Sequence, residues 1–152
     1  MKKLLLILIA ATLLTGLTAC KKTAEQKAEE ELMIQHPMPD WKKDQSGKYP
    51  VSMTAVVSLP QKLKQGQSDG DKLAAFIEGE CRGEGIAVQM DSLNVFFVLI
   101  NGTASEQSKL NFRYFSKKTS YLYESVASVS FRVDENYGTA EKPMALEMIA
   151  VK

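Results

Sequence analysis

Between Asn94 and Asn101 the chain reads Asn94-Val95-Phe96-Phe97-Val98-Leu99-Ile100-Asn101, six consecutive β-branched, aromatic or aliphatic residues closed at each end by an amide side chain. A run this short is the length of a strand. With no polar alternation, it predicts a strand inside a sheet, covered on both faces. The flanking sequence has the same character. Upstream, Lys72–Ile77 and Glu80–Met90 are separated by Glu78-Gly79, a two-residue hairpin turn. That turn sets Ile77 opposite Glu80 and Phe76 opposite Cys81. Tyr49–Leu59 alternates loosely and stops at Pro60; Gln61–Gly70 is a polar loop. Downstream, Leu110–Ser116 and Thr119–Ser125 form a second hairpin around Lys117-Lys118. Ala127–Val133 alternates, with Val129, Phe131 and Val133 on one face. A loop from Asp134 to Pro143 carries Tyr137-Gly138, and Met144–Val151 is the last strand.

No helical period runs through the chain after Trp41, and turn residues recur every 8 to 12 positions or so. About eight short strands predict an all-β domain over residues 41–152. The expected fold is a two-sheet antiparallel β-sandwich of the immunoglobulin-like kind, because each sheet must hide one apolar face. A closed β-barrel is the alternative.

The N-terminus has a different composition. Met1-Lys2-Lys3 is a basic start, and Leu4–Leu14 is apolar but too short to span a bilayer. Leu17-Thr18-Ala19-Cys20 then has the pattern of a lipobox, at which a signal peptidase cuts between Ala19 and Cys20. Residues 1–19 read as a lipoprotein signal peptide. Cys20 reads as the lipidated first residue, a diacylglycerol cysteine that also carries a palmitate-type acyl chain. Two or more chains anchor a protein firmly, each buried CH₂ contributing about 0.8 kcal/mol. Lys21 follows the anchor where an aspartate would favour inner-membrane retention, so the expected address is the outer membrane. Residues 20–40 read as a tether. Thr23 and Gln26 fit a capping box, and a thin stripe of Ala24, Ala28 and Leu32 supports a marginal helix that Pro37 and Pro39 stop.

The order of several weak motifs resembles a small β-sandwich module of secreted and surface proteins in Bacteroidetes-type bacteria. These are Trp41, Tyr49 with Ser52-Met53-Thr54, Leu73–Ile77 leading into Glu80-Cys81-Arg82-Gly83, Phe96–Gly102, Phe112–Phe115, and Pro143 before Leu146. The resemblance implies an envelope lipoprotein with this fold and transfers no catalytic residue. Surface export in such bacteria goes with acidic residues after the lipidated cysteine, whereas this chain has Lys21-Lys22; the periplasmic and surface-facing sides both remain open.

Composition excludes several chemistries. The chain has 19 Lys+Arg and 18 Asp+Glu, and loss of Lys2 and Lys3 with the leader leaves 17 against 18. Near-neutral charge, with no basic groove of stacking rings, gives no expectation of nucleic-acid binding. With Cys20 lipidated, Cys81 lacks an intrachain disulfide partner and is expected in the core beside Phe76. His36, the one histidine, lies in the tether, remote in sequence from Cys81. A nucleophilic pair or a zinc site would need these to converge. Glu78 and Glu80 flank a turn, and Glu80 and Glu84, alternating with Arg82 on the outer face, read as a charged stripe satisfied by water. No cofactor is expected. Asp69-Gly70-Asp71 is a fragment of a calcium loop and equally an ordinary turn.

Aromatic rings remain. Trp41, Tyr121, Tyr123 and Tyr137 are candidates for a binding surface, since a ring offers contact area with a polar tip. Tyr121 and Tyr123 share one strand face, with Leu122 on the other; the tyrosines can equally point inward as core. The functional expectation is a membrane-anchored, non-enzymatic module binding a protein or glycan partner, or alternatively a structural component of an envelope complex.

Overall fold

A computed structural model of the chain describes residues 32–90 and 93–152, except the side chains of Met90 and Leu93. The lipobox, Ala19, Cys20 and the tether up to residue 31 lie outside the described residues. The strands are β1 (Val51–Ser58), β2 (Lys72–Ile77), β3 (Glu80–Met90), β4 (Leu93–Gly102), β5 (Lys109–Ser116), β6 (Tyr121–Ser125), β7 (Val129–Ser130), β8 (Asn136–Tyr137), β9 (Met144–Ala145) and β10 (Met148–Ala150). One helical turn, α1 (Gln61–Lys64), follows Pro60 in the stretch expected to be loop.

The domain is all-β, but the expected pair of antiparallel sheets is replaced by one curled, open, mixed sheet shaped as a half-barrel. Its order is β10-β6-β5-β2-β3-β4-β1-β8, with β7 on β5 and β9 on β1. The long strand β3 joins the halves. Glu80–Glu84 pair with β2 along one edge. Gly85–Met90 pair with β4 along the other. At the handover the strands approach too closely for a side chain: a Cβ at Gly83 would collide with the carbonyl oxygen of Leu99. The β2–β3 turn places Glu78 and Gly79 at positive φ (51° and 79°), where glycine carries no steric penalty. Arg82 is the extra residue of a bulge, because the register shifts between Ala75 and Phe76.

The last strand shows why the sheet curls. The expected single strand Met144–Val151 is split: β9 runs parallel to β1, and β10 runs antiparallel to β6. β10 is one end of the main sheet path and β9 lies beside β1 near the other, about 34 Å apart if the sheet were flat at ~4.8 Å per strand. Yet Ala145 and Met148 are three residue steps apart, a reach of about 11 Å. The sheet must roll until its edges nearly meet. Leu146 donates its N–H to Ser58 at 2.9 Å, and Val126 donates to Glu147 at 2.9 Å, lacing the two edges together. The β8–β1 pair is parallel as well. The expected strand Ala127–Val133 shortens to β7, from which the chain crosses to β1, where Asp134 donates to Ser52 at 2.8 Å. The two ends of the main path, β10 and β8, do not pair with each other among the described residues, so the closed barrel is not formed either.

The hollow of the half-barrel holds the main core. Met53, Ala55 and Val57 of β1 meet Leu73, Ala75 and Ile77 of β2, Phe96, Val98 and Ile100 of β4, and Leu110, Phe112 and Tyr114 of β5. Phe131, just after β7, and Leu146, between β9 and β10, belong to the same core. Each buried Phe, Leu or Ile contributes about 1.5–3 kcal/mol of transfer free energy. A smaller cluster lies on the opposite face, where Ala74, Phe76 and Cys81 pack under Trp41.

Candidate functional site

Two constellations stand on the common strand β3, one on each half. The first surrounds Arg82, which is 5% exposed. Its guanidinium lies 3.4 Å from the centroid of the Tyr49 ring. It donates to the carbonyl of Asn101 at 3.4 Å and pairs with Glu106 at 3.3 Å. Glu80 lies 3.6 Å away and accepts a short hydrogen bond from the Tyr49 hydroxyl. That hydroxyl is the chief cause holding the Glu80 carboxyl below its ordinary range, aided by Lys48 and Arg82. The β3–β4 ladder ends at Gly85 opposite Val98, so Arg82 supplies a side-chain donor to β4 where backbone pairing stops. Of the expected solvated stripe, Glu84 is exposed and Glu80 partly so, whereas Arg82 between them is buried in an ionic wedge. Its sequence signal, an arginine between two glutamates, does not differ from an exposed stripe.

The second constellation is a cleft of about 260 Å³ between the loop Gln67–Asp71 and the β3–β4 hairpin, where Ala87, Val88, Gln89, Asn94 and Phe96 line it. The loop follows the path β2 would take if extended backwards along β3, but it stands off. Asp71 fastens it toward β5. Its carboxylate accepts from the Tyr114 hydroxyl (2.5 Å), the Lys117 N–H (2.8 Å), the Ser68 N–H (2.9 Å) and the Ser68 hydroxyl (3.0 Å). Tyr114 is buried, and desolvation, reinforced by Asp71, raises its phenol well above the ordinary value. Fastened to β5 and the turn after it, the loop leaves Gly85–Met90 hydrogen-bonded on the β4 side only, among the described residues. This stretch is exposed, with Ile86 at 69% and Val88 at 36%, and Leu99 on the same sheet face at 48%. The Gln67 side-chain oxygen is shut off from solvent without a hydrogen-bond donor among the described residues.

The calcium candidates Asp69 and Asp71 both line this cleft, but Asp71 is engaged by protein donors as described. No group of three His, Cys, Asp or Glu side chains suited to a metal ion occurs among the described residues. Cys81 pairs with Phe76 as the turn dictated, yet in the outer cluster under Trp41 rather than in the main core. Burial pushes its thiol above the ordinary range, which disfavours the nucleophilic thiolate. His36 is fixed elsewhere, its backbone N–H donating to Ser120 at 2.8 Å.

The aromatic candidates are dispersed. Trp41 stands edge-on to Phe76, with ring centroids 5.4 Å apart. Tyr123 packs against the main core, 5.9 Å from Tyr114, and Tyr137 packs against the core from β8. Tyr121 is half-buried beside Gln35, with which it forms an isolated bridge. Compared with protein-family models, curated proteins and solved structures, the chain matches none. The site is therefore read from its own geometry. No helix among the described residues is long and apolar enough to cross a membrane.

Proposed function

We propose that this chain is a lipid-anchored, non-enzymatic protein of a bacterial outer membrane whose half-barrel binds a protein partner. The observation that carries the binding reading is the margin of the β3–β4 hairpin. There Ile86, Val88 and Leu99 are exposed on one sheet face beside a strand with a free edge. Apolar side chains next to unpaired backbone groups are a common basis for protein association. A glycan platform finds less support, because Trp41 and Tyr137 serve different packing clusters. A role as a structural component of an envelope complex draws on the same free edge and differs only in the permanence of the contact.

The address rests on the Leu17–Cys20 pattern and on the resemblance to Bacteroidetes-type envelope lipoproteins. Two experiments test the reading. Cys20→Ser should move the protein out of the membrane fraction and abolish labelling with a palmitate analogue; retention with labelling would sink the anchor. A photo-cross-linker at Leu99 should capture a discrete protein adduct in intact cells, while one at Lys62 on the helical turn should not. Equal labelling at both positions would remove the support for a binding face.

A further inference from the structure

We propose that the cleft between Gln67–Asp71 and Ala87–Gln89 accepts an extended peptide as an added strand on β3. The inference rests on the protein-binding reading and specifies its ligand. Three observations lead to it. First, the loop occupies the course a neighbouring strand would follow but is held off by the Asp71 clamp. A strand pairs with its neighbour at about 4.8 Å, and the slot opens on β3 at Ala87, Val88 and Gln89. Its volume, about 260 Å³, is below that of a typical small-ligand pocket. Second, Gly85-Ile86-Ala87-Val88-Gln89 contains no charge, proline or bulge to blunt its edge, devices by which exposed edges avoid unwanted pairing. Third, the opposite wall is polar: Gln67, Ser68 and the carboxylate-bearing Asp69 line the cleft.

Together these define the peptide. Its backbone pairs with β3. Small or apolar side chains at alternate positions lie over Ala87 and Phe96, and a lysine, arginine or amide side chain reaches Asp69. Main-chain bonds supply affinity and the acceptor wall supplies selectivity.

The test uses a random-peptide phage library selected against the full chain, followed by hydrogen exchange with the best synthetic peptide. Selected sequences should alternate apolar and polar residues and carry a basic or amide side chain. The peptide should slow exchange at residues 85–89. Ala87→Trp, which fills the slot from an exposed position, should weaken binding at least tenfold, and Asp69→Lys several-fold. If Ala87→Trp lowers the melting temperature, Gln89→Trp serves in its place. The proposal is overturned if no selected peptide protects 85–89, if the slot-filling variant binds as well as the parent, or if 85–89 are already protected in a concentration-dependent way without peptide. The last result would mean that a second copy of the chain occupies the edge. A surviving Leu99 cross-link in cells would then show that only the peptide proposal, and not partner binding itself, had failed.

Discussion

The two halves of β3 belong to one continuous strand and have opposite fates. Cys81, Arg82 and Gly83 are buried, whereas Ile86, Ala87, Val88 and Gln89 are exposed. Hydrophobicity does not explain the difference, since the exposed half has Ile and Val and the buried half has arginine. What differs is the neighbourhood. The first half has β2 on one edge and the Arg82 wedge toward β4 on the other. Among the described residues the second half pairs with β4 alone, while Asp71 fastens the preceding loop to β5 and the turn after it. The side chains of the first half are buried by what covers their faces, Trp41 over Cys81 and Tyr49 over Arg82, whereas Ile86 and Val88 stay exposed.

Substitutions in the first half should cost stability and those in the second should not. The largest effect is expected for Arg82→Ala. It removes the cation facing Glu106, whose side chain is 11% exposed, and breaking a buried pair costs about 3–5 kcal/mol. Urea denaturation measures it; a loss below about 1 kcal/mol would make the wedge an ordinary surface pair. Next comes Gly83→Ala, whose methyl would meet the Leu99 carbonyl, at an overpacking cost of about 1–3 kcal/mol. Full stability in that variant would show that the handover does not need the close approach.

A smaller effect probes the clamp. Tyr114→Phe removes one of the donors to Asp71 and should cost about 1 kcal/mol near neutral pH. The phenol of Tyr114 is held above its ordinary value of 10.0 in the folded protein, so folding favours its protonated form. That contribution is complete below about pH 10 and declines as the pH rises further toward the folded-state value. The parent should therefore lose stability more steeply than the variant above about pH 10. Parallel curves would mean that Tyr114 is not the group responsible. The smallest effect belongs to the exposed half: Val88→Lys should change stability by less than about 0.5 kcal/mol, and a large loss would reveal hidden packing at that edge.

Much of the strand pattern was legible locally. Lys72–Ile77, the Glu78-Gly79 turn and Glu80–Met90 fall where turn chemistry and composition put them, including Phe76 opposite Cys81. Two-residue strands such as β7, β8 and β9 carry no periodicity, so Ala127–Val133 and Met144–Val151 read as longer strands than they are. Of the candidate site, Asp69 and Asp71 were visible as residues but not as one wall of a cleft. Arg82 gave no sign of its burial, because its partners Tyr49, Asn101 and Glu106 are far away in sequence.

By itself the sequence determined that this is a chain of short strands, with turns at Glu78-Gly79 and Lys117-Lys118. Side-chain period and turn chemistry act over a few residues and need no knowledge of partners. Only the tertiary structure decided that the strands form one rolled sheet, that β3 serves both halves, and that its far edge stays open. Strand partners are chosen by contacts distant in sequence, and a three-step link between β9 and β10 sets the curvature that no local pattern encodes.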